Sequence, residues 1–100
     1  MRARFSPKAK QQLLEIVTYI ARDNPGAARR FRHRIRCALE VASRFPDAGR
    51  TLPEARDSGM REVIVAPYRI LYRRDRNGIV AVSLWHGARR RPVHRDGSLR

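Results

Sequence analysis

The chain has 100 residues, 42% of them apolar, enough for one modest hydrophobic core and too few for two independent domains. Its 23 Lys and Arg against nine Asp and Glu give a net charge of +14, which draws it towards polyanions or an acidic partner. The single cysteine, Cys37, excludes an intrachain disulfide, and no run approaches the roughly 20 apolar residues of a membrane span, so a reducing, cytoplasmic location without a membrane partner is expected.

Residues 1–5, MRARF, form a short strand, and Ser6-Pro7 starts a helix, with Ser6 capping the first amides and Pro7 in the first helical position. Leu13, Ile16, Val17 and Ile20 then recur at i, i+3, i+4 and i+7, the one-face spacing of an amphipathic helix. The pattern breaks at Asp23-Asn24-Pro25-Gly26, where Asn24 caps a second helix whose buried face is Ala28, Phe31, Ile35, Ala38, Leu39 and Ala42. Arg29, Arg32 and Arg36 lie on its other side. So short a connection makes the two helices an antiparallel hairpin, ended by Phe45-Pro46-Asp47-Ala48-Gly49.

Residues 46–60, with two prolines and two glycines, read as a surface loop. Three β-rich runs follow: 61–66, 68–74 and 79–85. Pro67 separates the first pair, and Arg76-Asn77-Gly78 carries a tight-hairpin signal. Strict alternation puts Val80, Val82 and Leu84 on one face of the last strand and Ile79, Ala81, Ser83 and Trp85 on the other. The order β-α-α-β-β-β predicts an α+β domain, an antiparallel sheet packed on a helical hairpin. The domain fills 1–88, and the Arg-rich segment 89–100 is too poor in apolar residues to be more than a basic tail.

Most enzyme constellations are missing. The glycines stand singly, so there is no phosphate-cradling loop and no nucleophile elbow. His33 and Cys37, at i and i+4, have the spacing to share a metal, but a site needs further ligands and only distant His86 and His94 remain. The plainer reading is a surface histidine beside a small buried thiol, and no metal or cofactor is expected. Arginine is more informative, because its planar fork suits bidentate contact with phosphate or carboxylate. In the middle strand Tyr68, Ile70 and Tyr72 point one way and Arg69, Leu71 and Arg73 the other. If Arg69 and Arg73 share an open face with Arg61 and His86, cationic and aromatic groups gather where a phosphate chain can lie. The competing reading is a basic face that solvates the sheet and discourages edge pairing. His86 has the intrinsic pKa of a general acid or simply ends a strand, and Trp85 either stacks a base or anchors the core.

The set FSPKA, YIARDNP leading into AARRF, RFPDAGR, MREVIV, PYRILYR and WHGARR, in order over residues 4–91, resembles the ParE/RelE superfamily of toxins from bacterial toxin–antitoxin operons, particularly its ParE branch. The resemblance implies the same β-α-α-β-β-β fold and an acidic, co-expressed antitoxin that wraps the toxin. It also implies one of two mechanisms. RelE-like members are ribosome-dependent mRNA endonucleases, in which basic residues stabilise the phosphorane and a tyrosine, histidine or carboxylate moves the proton. ParE-like members poison DNA gyrase without hydrolytic chemistry of their own. Arg69 matches the arginine that RelE-like enzymes set on the scissile phosphate, with His86 as the candidate acid. The lysines that precede that arginine in RelE-like chains are absent, and no tyrosine follows Tyr72. The gyrase-directed reading is therefore favoured, with Arg61, Arg69, Arg73, Trp85, His86, Arg89, Arg90 and Arg91 as the expected surface for target or antitoxin.

Overall fold

The computed structural model describes residues 2–52 and 58–87. Strand β1 (Arg2–Phe5) leads into helix α1 (Pro7–Asp23), and α2 (Pro25–Arg44) returns antiparallel to it. Both helix starts use the capping chemistry written in the sequence. The Ser6 hydroxyl accepts from the Ala9 amide at 3.1 Å and the Asn24 side chain from the Ala27 amide at 2.9 Å, with proline next in line each time. The chain continues through β2 (Arg50–Thr51), β3 (Arg61–Val65), β4 (Tyr68–Asp75) and β5 (Gly78–His86). A two-residue connection, Arg76-Asn77, joins the last two strands, and Gly78 opens β5 at φ 144°, a backbone angle that L side chains rarely adopt.

The five strands lie in the order β1-β5-β4-β3-β2. Two features correct the sequence expectation. The sheet is mixed, because β1 runs parallel to β5 while the remaining pairs are antiparallel. No hairpin ties β1 to β5, and the parallel alignment delivers Ser6 to Ala81 and Val82, so that α1 crosses directly over β5. The Ser6 amide donates to the Ala81 carbonyl at 2.8 Å and its hydroxyl to the Val82 carbonyl at 3.2 Å. The second feature is β2, two residues inside the expected loop, too short to leave a periodic signal.

The core lies between the hairpin and one face of the sheet. Phe31, Ile35, Leu39 and Ala42 of α2 are buried against Val65, Ile70, Tyr72, Ile79, Ala81 and Leu84, with Leu13, Ile16, Val17 and Ile20 of α1 packed at its margin. Full burial of a side chain such as Ile35 or Leu39 stabilises by about 1.5–3 kcal/mol. The β5 faces depart from strict alternation. Leu71 opposes Ser83 but Tyr72 opposes Ala81, so Val82 is the extra residue of a bulge and the parity reverses there. Ile79, Ala81 and Leu84 consequently share the helix-facing core, whereas Val82 and Trp85 join Leu52, Met60 and Leu71 in a second cluster on the opposite face. Beyond β1 the edge of β5 is closed by a side chain: Gln12 Oε1 accepts from the Leu84 amide at 2.8 Å and from the Ser83 hydroxyl at 3.1 Å.

Candidate functional site

The alternation of β4 decides where its arginines go. Tyr68, Ile70 and Tyr72 enter the helix-facing core, so Arg69 and Arg73 stand on the opposite face, over the second apolar cluster. The cross-strand partner of Arg69 is Trp85, which is buried, and that of Arg73 is Val80. Trp85 is thus an anchor beneath Arg69 and is not presented for stacking on a base.

Arg69 is not a free cation. Its guanidinium lies 3.4 Å from Oε1 of Glu62, which also faces Arg50 at 3.7 Å. Glu62 is 3% exposed, and its second oxygen, Oε2, is buried without a hydrogen-bond partner. A buried carboxylate with an unfilled acceptor is expensive, and it persists here because two arginines converge on it. Gly87 closes the other flank of Arg69: its amide donates to the Pro67 carbonyl at 2.7 Å, and a Cβ on it would sit 3.4 Å from Arg69 Nε.

The expected gathering of Arg61 and His86 with Arg69 and Arg73 does not occur. His86 opposes Tyr68 in the register and sets its ring edge-on to that tyrosine at 5.5 Å, and Tyr68 in turn packs on Phe31 of α2 at 5.2 Å. It belongs to the helix side. Arg61 opposes Tyr72 and is also on that side, where Nη1 donates to the Gly49 carbonyl at 2.8 Å. The physical reason is the two-residue period of a strand: Arg61 and Arg69 differ in face because the register pairs Arg61 with Tyr72 and Ile64 with Arg69. Arg89, Arg90, Arg91 and the rest of the basic tail lie outside the described residues.

Around Arg61 a small open pocket of about 280 Å³ is lined by Pro46, Asp47, Met60, Arg61, Tyr72 and Arg74, among others. The Tyr72 hydroxyl donates to the Pro46 carbonyl at 2.8 Å. Burial pushes the Tyr72 phenol above its ordinary value of 10.0, outweighing the Gly49 backbone and the Arg61 charge, which pull it down. Asp47 bridges Arg74 at 3.4 Å and Arg61 at 3.9 Å.

Cys37 falls two residues from the buried Ile35 and is exposed, not buried as the pattern suggested; its Sγ lies 3.4 Å from His33 Nε2. These two supply at most half a tetrahedral metal site, and among the described residues no three His, Cys, Asp or Glu side chains come together. Among the described residues no helix is long and apolar enough to cross a membrane.

The residues that sequence reasoning passed over are Glu62, Arg50, Asp47 and Arg74. Glu62 did leave a signal, as the one acidic side chain in the run REVIV, but only the pairing with Leu71 shows that it sits on a covered face.

Two comparisons bear on what this scaffold is. Residues 3–91 match the family described as the ParE toxin of the type II toxin-antitoxin system, parDE. Over 78 residues the chain is 37% identical to "Putative toxin Y4kP" of Sinorhizobium fredii, an alignment covering 76% of this chain and 78% of that protein. With an α+β sheet-and-hairpin fold and a match across nearly its whole length, the chain belongs to the ParE family of toxins from type II toxin–antitoxin systems.

Proposed function

We propose that this toxin acts in the cytoplasm by binding DNA gyrase and trapping it on cleaved DNA, and that a co-expressed acidic antitoxin neutralises it. The observation that carries this reading is the separation of Arg69 from His86. In-line cleavage of RNA needs a phosphate stabiliser and a proton donor at one phosphate, each within hydrogen-bonding reach. Here the two candidates stand on opposite faces of the sheet, and Arg69 already shares its charge with Glu62. Such an arrangement favours recognition by surface over hydrolysis. The Arg69–Arg73 face and the Arg89–Arg91 run supply the charge for an acidic antitoxin and, once it is gone, for the target.

The deciding experiment is negative supercoiling of plasmid DNA by purified gyrase, titrated with this protein and scored for inhibition and for trapped double-strand breaks. Inhibition with trapped breaks is the expected result. Unaffected gyrase with folded toxin, together with mRNA cut in the ribosomal A site and loss of that cleavage in Arg69→Ala, overturns it in favour of a ribosome-dependent endonuclease.

A further inference from the structure

The pocket beneath the C-terminal end of α2 is built from both sides of the sheet register. Arg61 opens β3 opposite Tyr72, and Arg74 follows Tyr72 by two residues on β4, so both guanidiniums emerge on the same side as the Tyr72 ring. The loop that follows α2 is pinned over them twice, by the Tyr72 hydroxyl on the Pro46 carbonyl and by Arg61 Nη1 on the Gly49 carbonyl. The second of these bonds holds one edge of the Arg61 guanidinium, and its Nε lies 3.9 Å from Asp47 Oδ1.

Asp47 holds this place loosely. A single oxygen, Oδ1, faces both arginines, at 3.4 and 3.9 Å, and the side chain is 72% exposed. Neither contact has the short bidentate geometry that a guanidinium and a carboxylate reach when free to choose it, and exposed pairs of this kind are weak. The two carbonyl bonds that hold the loop do not involve the Asp47 side chain.

We infer that the Arg61–Arg74 pocket is a carboxylate-binding site for an acidic peptide segment of a protein partner, with Asp47 as its internal stand-in. The group held there now is a carboxylate, and the walls contributed by Pro46, Met60 and the Tyr72 ring suit the methylenes of a glutamate side chain. The adjoining surface is apolar too. Phe45, immediately before Pro46, and Val41, one turn earlier on α2, are 63% and 57% exposed. An acidic, amphipathic segment finds both its chemistries here: a carboxylate for the arginines, replacing Asp47 in a competition between like groups, and apolar side chains for the end of α2. A nucleic acid can stack a base on Phe45 but brings no carboxylate, the group already seated between the two arginines. The inference rests on the proposed acidic antitoxin for the class of partner and makes no assumption about the enzyme that the toxin acts on.

The test is a titration of the full chain, at fixed ionic strength and without gyrase, by a short blocked peptide of alternating glutamate and leucine and separately by a short oligothymidylate. Affinity is read by calorimetry and location by the NMR signals of the Arg61 and Arg74 Nε–H groups. Because the whole surface is basic, charge-matched controls are essential. Asp47→Asn is compared with Asp23→Asn, at the far end of the helical hairpin, and Arg74→Gln with Arg29→Gln, on the exposed side of α2. The peptide is expected to move the Arg61 and Arg74 signals. Asp47→Asn should tighten peptide binding about two- to fivefold beyond Asp23→Asn, the range set by an exposed ion pair, and Arg74→Gln should weaken it more than Arg29→Gln. The inference is overturned if Asp47→Asn binds no tighter than its control, if Arg74→Gln matches Arg29→Gln, or if the oligothymidylate alone moves the two signals, which would make this a phosphate site. Failure here leaves the gyrase assay untouched, and failure of the gyrase assay leaves this titration untouched.

Discussion

Arg69 and His86 project from opposite faces of one corner of the sheet, Arg69 over Trp85 and His86 against Tyr68. Two residues that a catalytic reading needs at one phosphate are divided by the backbone itself. His86→Ala is therefore expected to leave gyrase inhibition within about twofold of the parent, since truncation outside a binding centre is nearly neutral. Arg69→Ala should raise the half-inhibitory concentration about tenfold, equivalent to ~1.4 kcal/mol. A folded His86→Ala protein that no longer inhibits supercoiling would contradict the assignment.

Glu62 separates charge from shape. With Leu71 opposite it and Leu52 and Met60 on the same face, an apolar side chain of similar size fits where Oε2 now lacks a partner. Denaturant titration is expected to find Glu62→Leu within about 1 kcal/mol of the parent, because the leucine fills the site while the two arginines it unpairs are exposed enough to turn to water. Glu62→Ala, which unpairs the same two arginines and also leaves a void, should lose about 2–3 kcal/mol. Equal losses in the two variants would show that the charge itself holds the face together.

Tyr72 gives the fold an alkaline limit. The unfolded phenol ionises near pH 10, whereas burial raises the folded value, so the folded state holds this proton more tightly. The resulting stability is complete below pH 10 and is lost as pH climbs through the raised folded value. Tyr72→Phe should unfold with a shallower pH dependence above pH 10 than the parent. At neutral pH it should lose about 1 kcal/mol with the bond to the Pro46 carbonyl. Parallel melting curves at pH 7 and above pH 10 check both signs, and an unchanged alkaline slope would refute the role.

Gly49 is required by that same tyrosine. A Cβ at position 49 would lie 2.8 Å from Tyr72 Cζ, closer than real contacts allow, and the buried ring has no room to retreat. Gly49→Ala is expected to destabilise by about 1–3 kcal/mol, as overpacking does. That is roughly 4–8 °C in melting temperature per kcal/mol for a domain of this size. Combined with Tyr72→Phe it should cost less than the sum of the two, and strict additivity would mean that the two residues do not meet.

The helices were legible because every signal agreed. Caps at Ser6 and Asn24, prolines behind them and a 3.6-residue apolar period all mark the same boundaries. The β3, β4 and β5 strands were legible as runs for the same reason, but not all their faces. A bulge at Val82 reverses the parity of β5, and nothing in IVAVSLW distinguishes a bulged strand from a regular one. The candidate site suffered from the same limit. Nothing in the sequence marks the face on which Arg61, Arg69, Arg73 or His86 stands, and only the strand register sorts them onto two. Ionic partners such as Glu62 and Asp47 are long-range pairings that local patterns do not encode.

The place of β5 in the sheet has a consequence for biosynthesis. It lies between β1 and β4 and passes beneath α1, yet of all the described elements it is the last to be made. While a ribosome is still translating the preceding residues, β1 has no neighbour, the hairpin has half a floor, and Gln12 has no strand edge to cap. A nascent chain halted before Gly78 therefore cannot assemble the toxin surface, and the native fold closes only after translation of β5. For a toxin of a type II toxin–antitoxin system, the interval before that closure is one in which a partner already present can meet it unfolded.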